Sequence, residues 1–207
     1  MGRPPKRLVT REGIMRAALE LVDDQGPGAL SVTAVAARLG VKGPSIYTYV
    51  SGLDEVIEGI HELIVDEMDL TPGVQPWTAA LDTWARSYRA AFAAHRRAVP
   101  LIAPRPIRAM SALKGYALAF AVLREAGWPE EHLLPVVRSV EYFLIGSALD
   151  LNVPAQSKLP DEDLPPGLDP LLNPPHNHNE LAFETGLAAL TCGLKDALDG
   201  IQLARNA

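Results

Sequence analysis

The 207 residues include 48% hydrophobic ones, which supplies enough apolar material for one large domain or a small domain joined to a larger one. No stretch approaches about 18 uninterrupted apolar residues, and the basic start MGRPPKRLVTREG has no apolar segment behind it, so neither a membrane span nor a secretory leader is expected. Cys192 is the single cysteine, which excludes an internal disulfide framework and fits a reducing cytoplasm, and its simplest role is a small apolar residue on a helix. The net charge of −6 is unevenly spread. Residues 1–50 hold seven basic and four acidic residues, net +3, whereas the remainder holds 12 basic and 21 acidic, net −9. A basic head on an acidic body points the head toward a polyanion.

In chain order, Thr10 is a candidate N-cap for a helix whose apolar positions are Ile14, Ala17, Ala18, Leu21 and Val22. The run DQGPGAL stops it. Ser31 is expected to cap a second short helix with Val32, Val35, Ala36 and Leu39 on one face, closed by Gly40. A third helix then opens on Pro44, a residue suited to a first helical turn. Ile46 and Val50 share its inward face, and Ser45, Thr48 and Tyr49 point away with Pro44 and Tyr47 on the flanks. Ser51 and Asp54 form a capping-box-like start to a fourth helix with Val56, Ile57, Ile60, Leu63, Ile64 and Met68 as its apolar positions.

Longer amphipathic helices follow. One spans about 76–95 with Trp77, Leu81, Trp84, Tyr88 and Phe92 down one side; the broken segment PLIAPRPI leads to another over about 107–126. A third covers about 130–151 and the last about 180–203. Between these two, residues 152–179 are rich in proline and acids and read as a long loop, with one short helical turn around Asp169–Leu172. No internal repeat and no β-alternation is present, so the fold class is all-α.

A short helix, a tight turn and a second short helix with a polar outer face form a helix-turn-helix arrangement, in which the second helix enters the major groove. Gly43 keeps the approach free of bulk, Ser45 and Thr48 offer hydrogen bonds to base edges, and the tyrosine hydroxyls suit phosphate oxygens. From residue 10 to about 57 the chain resembles the DNA-binding domain of the TetR family of transcriptional repressors. The residues that carry the resemblance are ALELVDDQGPGALSVTAVAARLGVKGPSIYTYVSGLDEVI. It implies that Thr33, Lys42, Pro44, Ser45, Tyr47, Thr48 and Tyr49 face DNA. The family usually has a lysine at the start of the fourth helix where this chain has Leu53, so one phosphate contact is expected to be missing. The arm GRPPKR, with Arg3, Lys6 and Arg7, is an auxiliary candidate for the minor groove.

The C-terminal part is similar to the tetracycline-repressor branch, through WTAALDTWARSYRAAFAAHRRAVPLIAPRPI, AVLREAGW, VEYFLIGSALD and FETGLAALTCGL. The resemblance implies three regions: an arm over 1–9, a helix-turn-helix domain over 10–52, and a ligand-binding and dimerisation domain over 53–207. It also implies a homodimer in which the last two long helices pair across a two-fold axis. Leu133, Val137, Val140, Leu144, Leu187, Leu190, Leu194 and Leu198 supply the apolar faces. Trp84, Tyr88, Phe92, Met110, Tyr116, Phe120 and Tyr142 are the candidate lining of an effector pocket, or alternatively simple core. His95 reads as a buried, hydrogen-bonded structural residue.

The histidines that hold a magnesium–tetracycline chelate in that branch have no counterparts, since Asp69 and PLIAP occupy their regions, so tetracycline is not the expected inducer. His176, His178 and Glu180 are metal-capable, but i, i+2 spacing on a proline-rich loop does not fix them on one face; no metal and no cofactor is expected. No Gly-rich phosphate loop, Gly-x-Ser-x-Gly or His-Glu-x-x-His motif supports an enzyme. The expected partners are therefore operator DNA, a small effector and a second copy. The competing reading is a DNA-binding dimer that takes no ligand.

Overall fold

Thr10 and Ser31 act as the N-caps that their positions suggest. The Thr10 hydroxyl accepts the Gly13 N–H at 3.0 Å and the Ser31 hydroxyl accepts the Ala34 N–H at 3.1 Å, each satisfying one orphan donor of a first turn. They open α1 (Arg11–Gln25) and α2 (Val32–Leu39), separated by a 3₁₀ turn over Pro27–Ala29. α2 ends at Gly40, whose φ of +69° is the left-handed conformation that a residue with a Cβ rarely takes.

The computed structural model describes residues 9–69, 75–150, 166–168 and 174–205, and no strand occurs among them. After α2 come α3 (Gly43–Ile46), α4 (Leu53–Asp66), α5 (Trp77–Ala94), α6 (Val99–Ile102), α7 (Met110–Glu125), α8 (Glu130–Asp150) and α9 (His178–Arg205). The long helices match the sequence reading to within three residues at each end. Inside the segment read as broken, Pro100 takes an early position of α6, and Val99 and Ile102 are buried. The helical turn expected around Asp169–Leu172 and the auxiliary residues Arg3, Lys6 and Arg7 lie outside the described residues.

The chain forms two compact units. The first combines the residues up to Met68 with Ala94–Ala117; the second combines Asp69–Ala93 with Leu118 onward. This division places α4 with the helix-turn-helix elements. The reason is its apolar face: Val56, Ile57, Ile60 and Ile64 are buried, as are Ile14, Met15, Ala18 and Val22 of α1. The two helices approach closely at Gly59, where a Cβ would stand 2.9 Å from Met15 Cε and closer still to its sulfur. Val35 and Ile46 add α2 and α3 to the same interior.

In the second unit the buried residues include Tyr88 and Phe92 of α5, Leu133, Val137, Val140 and Leu144 of α8, and Phe183 and Leu187 of α9. Phe143 stacks on Phe183 with ring centroids 5.7 Å apart. The buried Arg89 guanidinium lies 4.0 Å from the Phe183 ring centroid and donates to Glu180 at 2.6 Å. Arg86 reaches Asp82 at 2.9 Å and Glu184 at 2.9 Å, so α5 and α9 are joined by charge as well as by packing. Among the described residues, no helix is long and apolar enough to cross a membrane.

Candidate nucleic-acid interface

α3 is a single turn, shorter than the helix expected from the sequence, but its last turn carries on in the backbone: Tyr49 and Val50 both donate to the Ile46 carbonyl, at 2.9 and 3.2 Å. This winding sorts the side chains. Ile46 and Val50 are buried, at 0% and 3% exposure, and hold the segment onto the first unit. Lys42, Pro44, Ser45, Tyr47, Thr48 and Tyr49 are exposed, Gly43 is half-buried, and Thr33 is exposed in the first turn of α2. Tyr47 is 59% and Tyr49 41% exposed, a large aromatic surface to leave in water. Among the described residues, no side-chain hydrogen bond uses the hydroxyls of Thr33, Ser45, Tyr47, Thr48 or Tyr49 or the Lys42 ammonium. These polar tips are available to an external partner with acceptors, such as phosphates and base edges.

The turn into α4 is built differently from the expected capping box. Gly52 is the N-cap residue and has no side chain to offer. The carboxylate that folds back is Glu55: it accepts the Ser51 N–H at 2.8 Å and the Ser51 hydroxyl at 3.0 Å. Asp54, the residue expected in that role, instead accepts from Arg105 at 2.7 Å. Glu55 also takes Arg11 of α1 at 3.1 Å. The Ser51 backbone N–H, with Arg11 in support, holds the Glu55 carboxyl below the usual carboxylate range. Sequence spacing favoured Asp54 because the motif counts three residues from the cap; the extended Gly52 shifts the count by one. Leu53, where the resembling family places a lysine, is 37% exposed beside this turn.

The family model described as "Bacterial regulatory proteins, tetR family" matches residues 14–58, and the one described as "Tetracyclin repressor-like, C-terminal domain" matches residues 71–198. The chain belongs to the TetR family. The transcriptional repressor DrrR1 of Streptomyces coeruleorubidus is 29% identical to this TetR-family chain over 150 residues, 70% of the chain and 55% of DrrR1. That match spans little more than half of the relative's length. The class D tetracycline repressor of Escherichia coli is 26% identical over 203 residues, 93% of the chain and 92% of the repressor. Among solved structures, the Streptomyces coelicolor TetR-family protein ActR in complex with actinorhodin superposes with a TM-score of 0.75 at 22% identity, covering 94% of this chain and 98% of ActR; it shares the fold.

The structure places the remaining TetR-family candidates as follows. In the second unit, Trp84 is half-buried with its ring 5.6 Å from that of Tyr88, which stacks on Phe92 at 4.3 Å. Phe120 is half-buried, whereas Tyr142 is 64% exposed with the Arg138 guanidinium 4.8 Å from its ring centroid. In the first unit, Tyr116 is half-buried and Met110 is exposed, its N–H donating to Glu62 at 3.2 Å. Of the residues expected on the dimer faces, Leu133, Val137, Val140, Leu144, Leu187 and Leu198 are buried within the single chain, and Leu190 and Leu194 are half-buried. Exposed apolar surface on these helices lies elsewhere, at Leu134, Tyr142 and Leu149 of α8 and at Leu181 and Leu203 of α9. His176 and His178 are exposed, and His178 Nδ1 lies 3.0 Å from the Pro175 carbonyl.

Proposed function

We propose that this TetR-family protein is a DNA-binding transcriptional repressor that reads a palindromic operator as a homodimer and is released by a small, largely apolar effector. The observation that carries the reading is the run 42–49, where Ile46 is buried and every neighbouring polar tip is exposed and unused. Thr48 and Ser45 read base edges; Tyr47, Tyr49, Lys42 and Thr33 contact phosphates, and Gly43 and Pro44 permit close approach. The arm residues Arg3, Lys6 and Arg7 add charge toward the minor groove. The name of DrrR1, a transcriptional repressor, supports the sign of regulation.

Dimerisation follows from operator symmetry, because a two-fold pair sets two reading heads about one helical turn apart. The exposed α8 residues Leu134, Tyr142 and Leu149 recur along one line of that helix and support a self-complementary strip there. The effector site belongs to the aromatic residues Trp84, Tyr88, Phe92 and Phe120 of the second unit. ActR, which shares the fold, was solved in complex with actinorhodin, which supports a ligand site in this fold here too. An effector that favours the DNA-incompetent state must weaken operator binding by the factor by which operator weakens its own binding.

The test is fluorescence anisotropy of a labelled operator with the purified full-length chain, titrated with a panel of planar aromatic compounds and with magnesium–tetracycline. Release by an aromatic compound, with tetracycline inert, is the expected result. A compound that binds tightly and leaves operator affinity unchanged would contradict the release mechanism.

A further inference from the structure

The C-terminal end of α1 has the wrong charge for a helix end. Asp23 and Asp24 occupy its last turn and no basic residue does, although the macrodipole already concentrates negative partial charge there. Compensation comes from a segment more than 70 residues downstream, just after α5. Arg97 donates to the Asp23 carbonyl at 2.8 Å and to the Asp24 carbonyl at 2.7 Å, two of the groups that a helix end leaves without partners. His95 is only 16% exposed at its side chain. Its Nδ1 lies 2.7 Å from Asp23 Oδ2, and its Nε2 lies 3.3 Å from Glu67 Oε1, just past the end of α4.

Both ring nitrogens therefore face carboxylate oxygens, which accept hydrogen bonds and do not donate them when ionised. A neutral imidazole has one N–H and serves one of these oxygens; its other nitrogen would turn a lone pair toward an anion. An imidazolium donates to both.

We propose that His95 is a proton-dependent tie between the ends of α1 and α4, and that closing it stiffens the frame carrying α2 and α3 and so strengthens operator binding. α1 packs against α2 and α4, so the angle between α1 and α4 sets the platform on which the reading segment sits. On α1, Glu20 pairs with Arg38 and Arg16 with Glu12, leaving Asp23 on the ring. On α4, Glu62 takes Arg11 and the Met110 N–H, and Asp66 takes Ser111, leaving Glu67 just beyond. On its own segment, Arg97 is occupied by the two carbonyls and Arg96 is half-buried. The ring borders a cleft of about 680 Å³ between α1 and α4, which lets water and protons reach it.

The proposal rests on the operator-binding reading for its functional consequence, and the test separates the two. Ring ¹⁵N shifts of histidine-labelled full-length protein are followed from pH 5.5 to 8.5, with hydrogen exchange of the last-turn amides of α1 and operator affinity over the same range. The expected result is a doubly protonated His95 at the low end, with exchange in that turn speeding and operator affinity falling about fivefold as the proton is lost, a coupling at the lower end of the usual range. His95→Gln, which cannot titrate, should flatten that part of both profiles; the comparison with wild type removes the contribution of His61. Glu67→Gln, a change at a half-exposed side chain, removes one of the two carboxylates on the ring and should weaken the pH dependence of exchange without unfolding the protein. A ring that stays neutral throughout, or a His95→Gln variant with the wild-type pH profile, overturns the tie. Exchange that follows the ring while operator affinity stays flat overturns its role in DNA binding. Absence of any operator binding would count against the functional reading, while the ring and exchange data would still judge the tie.

Discussion

Gly186 tests how tightly α9 is seated on α8. A Cβ placed on Gly186 would stand 2.7 Å from Phe143 Cζ and closer still to Cε2. Carbon atoms pack at about 3.5–4.0 Å, so Gly186→Ala requires the Phe143 ring to move by about 1 Å. That ring stacks on the buried Phe183, which in turn carries the Arg89 guanidinium on its face, so little free space receives the displacement. Overpacking of this kind costs about 1–3 kcal/mol, against a gain of about 1 kcal/mol from replacing glycine by alanine inside a helix. The net expectation is a loss of about 0–2 kcal/mol, or a fall in Tm of up to about 8 °C for a chain of this size. Thermal unfolding at fixed protein concentration measures it. Adding Phe143→Leu should recover part of the loss, giving a favourable coupling in the double-mutant cycle. A Gly186→Ala variant more stable by the full helix-propensity gain, with no coupling to Phe143, would refute the packing argument.

Ile46→Ala removes a fully buried side chain beneath the reading segment and should cost about 2–5 kcal/mol, with loss of operator binding before global unfolding, measured by chemical denaturation and anisotropy side by side. Tyr49→Phe should weaken binding on all duplexes and leave preference unchanged, whereas Thr48→Ala should alter which bases are preferred at one position, by about 1–3 kcal/mol of discrimination in a mutated-operator series. Acid stability should depend on Glu55. Its carboxyl is held below the ordinary value, so its contribution is present above about pH 4.3 and is lost as pH falls through the lower folded value. Glu55→Gln should flatten that limb of the stability profile. Burial pushes His61 down as well, so its contribution is present above about pH 6.5 and is lost on acidification, which His61→Gln should remove.

Much of this was legible in the residues. Thr10, Ser31, Gly40 and the Ile46–Val50 pair announce their roles because caps, left-handed stops and i, i+4 faces are local devices, fixed by a few neighbouring residues. The faces expected to pair show a physical limit of sequence reading: helical periodicity identifies a buried face but does not say whether the same chain or a partner buries it. Leu133, Val137, Val140 and Leu144 satisfy the pattern and are covered by their own chain, while the exposed line through Leu134 and Tyr142 includes the charged Arg138 and looks like an ordinary surface. The Asp54-for-Glu55 exchange arose from one extended glycine. The His95 and Arg97 contacts join residues more than 70 positions apart, a distance over which sequence spacing carries no information.

Selection of bound duplexes from a random pool by the full-length protein, at a stated salt concentration, tests the central claim most directly. The account predicts an enriched inverted repeat with half-sites about one helical turn apart, lost on Thr48→Ala at the contacted position and restored with a different base there. Enrichment of a single unpaired half-site, or no enrichment at moderate salt, would contradict it.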